Sequence, residues 1–249
     1  MPRLLPPLCL LSAALLVALT GCSNSETSRS ADGPTDASPT AAVSSAPKPS
    51  ASPSAGPVKR TATQLQNALL ARKDLPAGFE VDKSGGKDDT TMSSSKKSCA
   101  PLVRLMNSAT LTGTRARADV SFSAWQEGPY IVESLDAMGT GRFARAFVES
   151  YRAAVKPCRS LRMSIAGVGS SKVAVREVSV GKLGDQAFAA RFRAEGGPLD
   201  GLEILRAGVQ SKDVVVGVSA VGLRRSDAVA ATEEGVKKVA KKLGTPGSD

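Results

Sequence analysis

The chain has 249 residues, carries 33 Lys and Arg against 23 Asp and Glu for a net charge of +10, and contains no histidine. Without histidine, Ser-His-Asp and Cys-His catalysis are excluded. The usual zinc sets fail as well, because no histidine is present and the cysteines are better used elsewhere.

Arg3 gives a short positive start, and Leu8 to Leu19 is apolar apart from Ser12. That stretch falls short of the ~20 residues a membrane span needs, and it fits the apolar region of a secretory signal. Leu19-Thr20-Gly21-Cys22 then resembles a bacterial lipobox. The resemblance implies removal of residues 1–21, a diacylglyceryl group on the Cys22 thiol, and durable membrane attachment by two or three acyl chains. The other reading is an ordinary signal peptide with an incidental cysteine. The position of Cys22 and the polar switch after it favour the lipoprotein. Cys9 lies in the removed part.

Residues 23 to 57 are a different material: 26 of these 35 residues are Ser, Pro, Ala or Thr, and Val43 is the only sizeable apolar side chain. Such a segment buries too little surface to offset chain entropy. Residues 22–57 are therefore expected to form a lipidated cysteine and a disordered tether, with a span of roughly 30 Å. Residues 58–249 remain for one globular domain with a sizeable core. All of the +10 sits there. Outside a cell, that surface favours anionic wall polymers, acidic lipids or acidic ligands. Nucleic acid is not an expected partner of an exported, tethered domain.

Within the domain, Leu65, Ala68 and Leu69 have helical spacing over 62–72, with Thr61 or Thr63 as cap. Asp74-Leu75-Pro76 ends that helix. Residues 78–81 read as a short strand and 84–98 as a polar loop. Pro101 opens a second helix that runs to about Ala109. Ala118, Val120, Phe122 and Ala124 alternate with polar residues, which predicts a strand with one buried face. Gly128-Pro129 turns the chain, and Tyr130 to Leu135 pairs back. Phe143, Phe147 and Tyr151 recur every four residues on a helix to about Val155, and this stripe reads as core. From residue 161 onward, short apolar segments alternate with turn signals at 167–169, 181–185, 196–198 and 211–213. Residues 214–218 are apolar on both faces and belong in the middle of a sheet. Ser226 is placed to cap a last helix with a stripe of Val229, Thr232, Val236, Val239 and Leu243. The whole predicts α+β: one twisted antiparallel sheet packed by helices, in a single globular domain.

Cys99 and Cys158 are an even pair in an oxidising setting, which reads as a disulfide. The alternative is two free buried thiols. The chain-entropy model gives such a bridge roughly 4 kcal/mol.

Several segments together resemble a known family. They are Leu-Leu-Ala-Arg-Lys-Asp-Leu-Pro-Ala-Gly-Phe at 69–79, Ser-Cys-Ala-Pro-Leu at 98–102, Val-Glu-Ser-Leu at 132–135, Pro157-Cys158 and Leu-Gly-Asp-Gln-Ala at 183–187. This resembles actinobacterial lipoproteins related to the extracellular sensor domain of mycobacterial serine/threonine kinase H. The resemblance covers nearly all of 60–245. It implies a cleft-bearing ligand-binding or sensing module, with no established chemistry. The family pattern has two disulfides, and this domain has cysteines for one. With no kinase domain, a signal would pass through a membrane signalling partner.

Other constellations are weaker. Ser93 to Lys96 and Ser94 to Lys97 match Ser-x-x-Lys, but Lys-Thr-Gly is missing. Asp88-Asp89 and Glu233-Glu234 are adjacent pairs whose side chains diverge. Gly139-Thr140-Gly141 offers amides to an anion, or is a plain helix start. Trp125 shares a strand face with Asp119, Ser121 and Ser123; either a helix covers it or it lines a cleft with Tyr130. Lys237, Lys238, Lys241 and Lys242 crowd the end of the last helix, either solvated beside the helix dipole or as an anionic-surface contact. The expected protein is a non-enzymatic lipoprotein, lipid-anchored on the outer face of the cell membrane. It needs no cofactor or metal and binds an unknown small ligand. The alternative is a charge-driven contact with an anionic envelope polymer.

Overall fold

The computed structural model describes residues 56–83, 90–125 and 128–244. The leader, Cys22, the tether as far as residue 55 and Asp88-Asp89 lie outside them. Four helices are α1 (Ala62–Gln66), α2 (Ala100–Met106), α3 (Gly141–Val155) and α4 (Arg225–Leu243). Nine strands are β1 (Glu80–Val81), β2 (Thr90–Ser93), β3 (Ala116–Ser123), β4 (Tyr130–Ala137), β5 (Ser160–Ile165), β6 (Gly169–Val178), β7 (Gln186–Glu195), β8 (Glu203–Ser211) and β9 (Val214–Val221). They form one sheet in the order β1-β3-β4-β9-β8-β7-β6-β5-β2. Every pairing is antiparallel. This is the α+β sheet that the short turns require.

Alternation along the strands sends successive side chains to opposite faces. Val214, Val216 and Val218 of β9 pack with Leu65 of α1 and Val236, Val239 and Leu243 of α4. Val215, between them, packs on the other face with Met138 and Ala144. Phe188, Ala190 and Phe192 of β7 join Leu102 of α2 and Val148 and Val155 of α3. Thus α1 and α4 cover one face, and α2 and α3 the other. β9, apolar on both sides, lies fourth of nine in the sheet, as its valine run demands.

Four expectations are corrected. The first helix stops at Gln66, and a 3-10 turn over Arg72–Asp74 follows it, although Thr61 and Gln64 do form its capping box. The polar stretch 84–98 contains β2, whose single buried side chain is Met92. One apolar residue among Thr and Ser is too little pattern to read, and it suffices because β2 is an edge strand. The Asn107 amide closes part of that edge, accepting from the Met92 N–H and donating to its carbonyl, both at 2.8 Å. Ser226 does not cap α4: the cap position is Arg224, which makes no side-chain cap bond, and Ser226 instead donates to Asp227 at 3.2 Å. The Phe143, Phe147, Tyr151 stripe is fully buried only at Tyr151; Phe147 is half-buried against the core, and Phe143 is not core. The buried residues of α3 are Ala144, Val148, Tyr151, Ala154 and Val155, which leaves Phe143 53% exposed.

Candidate functional site

The displaced stripe lines a groove of about 500 Å³. One wall is α3, with Phe143, Ala146, Phe147 and Ser150. Facing it are Leu105 of α2, the 112–115 segment and Met138 just beyond β4. The size falls in the range of small-ligand sites, and so does the mix of apolar walls with a few polar groups.

The walls are held rigidly. Tyr151 packs edge-on against Phe188 with ring centroids 5.1 Å apart, and its hydroxyl donates to the Arg206 carbonyl at 3.3 Å. That pins the middle of α3 to β7 and β8. Cys99, at the start of α2, is bonded to Cys158, just past the end of α3. The bridge, fully buried, ties α2 and its Leu105 against α3. Thr140 caps α3 by accepting from the Phe143 N–H at 3.3 Å, so the Gly139-Thr140-Gly141 stretch is the helix start.

The polar end of the groove is Arg115. Its backbone N–H donates to the Ala137 carbonyl at 2.8 Å. Its side-chain arm lies over Gly139, where an added Cβ would stand 2.8 Å from the Arg115 Cδ and Nε. The nearby carboxylate of Asp136 is already engaged. Arg117 donates to it at 2.8 Å and the Thr114 hydroxyl at 3.0 Å. Among the described residues, Arg115 has no carboxylate partner.

The extracellular domain of PknH from Mycobacterium tuberculosis superposes with a TM-score of 0.57 at 20% identity, over 74% of this chain and 98% of that one. The domain has the PknH extracellular-domain fold. An uncharacterised protein from Mycobacterium smegmatis matches at a TM-score of 0.38 and 10% identity, over 74% of this chain and 94% of that one. No protein-family model matches the sequence, and no curated protein matches it significantly.

On this PknH-like fold the sequence-predicted site residues lie apart from the groove. Trp125 is 68% exposed, just beyond β3, and Tyr130 opens β4 on the far side of the same hairpin turn, paired with Ser123. Neither lines the groove. The four lysines of α4 divide. Lys238 is bound to Asp74 at 2.6 Å and Lys237 to Glu234 at 2.8 Å, while Lys241 and Lys242 are exposed. Among the described residues, no group of three or more His, Cys, Asp or Glu is arranged to hold a metal. No described helix is long and apolar enough to cross a membrane.

On the opposite face a carboxyl is sealed in. Glu133 of β4 is fully buried; one oxygen accepts from the Leu70 N–H, and the other has no hydrogen-bond partner among the described residues. A Cβ at position 235 of α4 would stand 2.5 Å from that second oxygen, so Gly235 leaves the room for it. Burial pushes the Glu133 carboxyl up to about 7, although the Leu70 N–H and the Lys238 ammonium act to lower it. Burial also works to raise Asp74, but the Lys238 bond and the Ala71 N–H outweigh it and hold Asp74 below the ordinary carboxylate range.

Reading the sequence missed Leu105, Thr112, Arg115, Met138, Ala146 and Ser150. One signal was available. α3 carries two apolar stripes, Ala144-Val148-Tyr151-Val155 and Phe143-Phe147, which together are wider than a helix on one sheet face can bury.

Proposed function

We propose that this is a non-catalytic, extracytoplasmic sensing domain that takes a small ligand in the groove beside α3, lipid-anchored through Cys22 on the outer face of the membrane. The observation that carries the reading is a rigidly walled apolar groove with Phe143 left half in solvent. A concave, mostly apolar surface with a few polar groups is the usual form of a small-ligand site. The PknH-like fold agrees with a sensing role in which the signal passes to a membrane partner. Residues 1–21 are the signal peptide, 22–57 the tether and 58–249 the sensing domain. Trp125, 68% exposed on the hairpin turn, and Tyr130 across that turn then form the contact with that partner or with a second ligand.

The test is saturable binding of a neutral fluorescent probe, N-phenyl-1-naphthylamine, to the full chain carrying Cys22→Ala. Ala146→Trp fills the groove and should abolish the saturable component. No saturable binding, or binding indifferent to Ala146→Trp, would count against the site. Mass spectrometry of the wild-type N-terminus checks the attachment: an acylated Cys22 at the start is expected, and an unmodified N-terminus elsewhere overturns it.

The second reading is a charge-driven contact with an anionic envelope polymer, favoured by the +10 of residues 58–249. With Lys237 and Lys238 engaged by Glu234 and Asp74, Lys241 and Lys242 carry that contact on α4. Pull-down on purified wall polymer at low and high salt decides it, because exposed ionic binding weakens with salt.

A further inference from the structure

We propose that the groove takes a single acyl chain ending in an anionic group, with the chain along Leu105, Met138, Phe143 and Phe147 and the headgroup at Arg115. The inference rests on the reading that the groove is the ligand site, and it names the ligand's chemistry. The apolar residues occupy the α2 and α3 walls and the floor at Met138, and the charge is confined to the 112–115 side. That separation of an apolar run from one cationic end is the complement of an amphiphile.

Arg115 is suited to the headgroup. Among the described residues no carboxylate pairs with Arg115, and Asp136 of the neighbouring strand is satisfied by Arg117 and Thr114. A guanidinium offers a planar fork of donors that matches a carboxylate or phosphate. Gly139 has φ +77°, which the turn requires, and the exposed Arg115 arm lies over it, with its Cδ and Nε 2.8 Å from where a Cβ would stand. Thr112 and Ser150 line the same groove; the Ser150 hydroxyl already donates to the Phe147 carbonyl at 2.7 Å, which leaves Thr112 as the added donor. A neutral headgroup leaves the arginine uncompensated, and a cationic one is repelled. About 500 Å³ accommodates one extended acyl chain rather than the two of a diacyl lipid.

The experiment is displacement of N-phenyl-1-naphthylamine from the full chain carrying Cys22→Ala, which keeps the protein's own acyl groups out of the assay. The competitors are palmitate, hexadecanol and hexadecyltrimethylammonium below their aggregation limits, and phosphatidylglycerol vesicles. Palmitate should displace the probe at a concentration lower than hexadecanol by roughly tenfold or more, as a charge-assisted bond implies. Arg115→Gln should bring palmitate to the level of hexadecanol when each displacement is referred to that variant's own probe affinity. Equal displacement by acid and alcohol, or a palmitate preference that survives Arg115→Gln, overturns the inference. So does displacement by diacyl vesicles at lipid concentrations matching palmitate. In each of these cases the probe still binds, so the groove stands as a site and only its ligand chemistry is refuted. If the probe does not bind saturably at all, the groove reading falls and this inference with it.

Discussion

The two faces of the sheet solve the same covering problem in different ways. Under α1 and α4 the surface is closed, and buried charges help to close it. Arg60 forks onto Asp213 through Nε at 2.8 Å and a terminal nitrogen at 2.6 Å, and also reaches the Leu243 carbonyl at 2.9 Å. It thereby joins the entry of the domain, the β8–β9 turn and the end of α4. Lys238 and Asp74 hold the middle of α4 to the turn after α1. Under α2 and α3 the core is apolar and covalently tied, yet one end stays open at Phe143 and Arg115. A face sealed by fixed charge pairs has one arrangement. The open face keeps apolar surface and, among the described residues, a cation without a carboxylate partner in reach of solvent, an arrangement suited to holding a ligand rather than stabilising the fold.

Breaking the closed face should cost the most. Arg60→Ala leaves Asp213, 2% exposed, as a buried charge without its partner. The expected loss is up to about 5 kcal/mol, read by denaturant unfolding. A loss below 1 kcal/mol would mean that water reaches Asp213 and that the face is less closed than drawn. On the other face the corresponding fastener is covalent. Cys99→Ser with Cys158→Ser opens a loop with sequence separation 59 and should cost about 4 kcal/mol. It should also weaken probe binding, because Leu105 is no longer held against α3. Unchanged binding in a variant that still folds would show that the groove is set by packing alone.

How far the sequence foretold these faces depends on how many residues encode each feature. The β9 and β3 strands were legible because a valine run and alternation are repeated signals, and the disulfide because only two cysteines remain in the domain. β2 was not, since one methionine carries its burial. The groove was mostly not legible either. It is assembled from four separate segments, and Phe143 and Phe147 look like core until the sheet is seen to cover the next stripe around. The Arg60–Asp213 and Lys238–Asp74 pairs join residues more than 150 positions apart, and no local pattern marks them. Lys238, read as part of a surface cluster, is the plainest case: its sequence neighbours suggest solvent, and its partner is supplied by the fold.

Glu133 tests how tightly the closed face is sealed. Its carboxyl titrates near 4.5 when unperturbed and at about 7 in the folded protein. Between those values the folded state keeps a proton that the unfolded state has lost. Stability should therefore fall as pH rises from about 4.5 to about 7 and level off above. The full penalty is about 3 kcal/mol. Glu133→Gln keeps an oxygen for the Leu70 N–H and removes the charge. It should be more stable than the wild type at pH 8, gain nothing at pH 4.5, and flatten the curve between them. If wild type and variant show parallel pH curves, Glu133 is hydrated and the seal between α4 and β4 is leaky.

The smallest expected effect on stability sharpens the comparison most. Phe143→Ser removes a large aromatic that is already 53% exposed, from a helix turn whose cap bond is made by its backbone N–H to Thr140 and survives the change. Folding buries only about half of this ring, so the loss should be about 1–2 kcal/mol, below that of a core aromatic. The same removal in the closed face, Phe122→Ala, takes out a ring with no exposure and should cost about 3–5 kcal/mol. Binding should show the reverse order. Phe143→Ser should weaken the neutral probe clearly, because the ring is wall and not core, while Phe122→Ala, in protein that remains folded, should leave it nearly unchanged. If Phe143→Ser instead destabilises by several kcal/mol, the ring is packed in solution and the groove is closed there. The distinction between a face built for stability and a face left open for a ligand would then fail at its clearest residue.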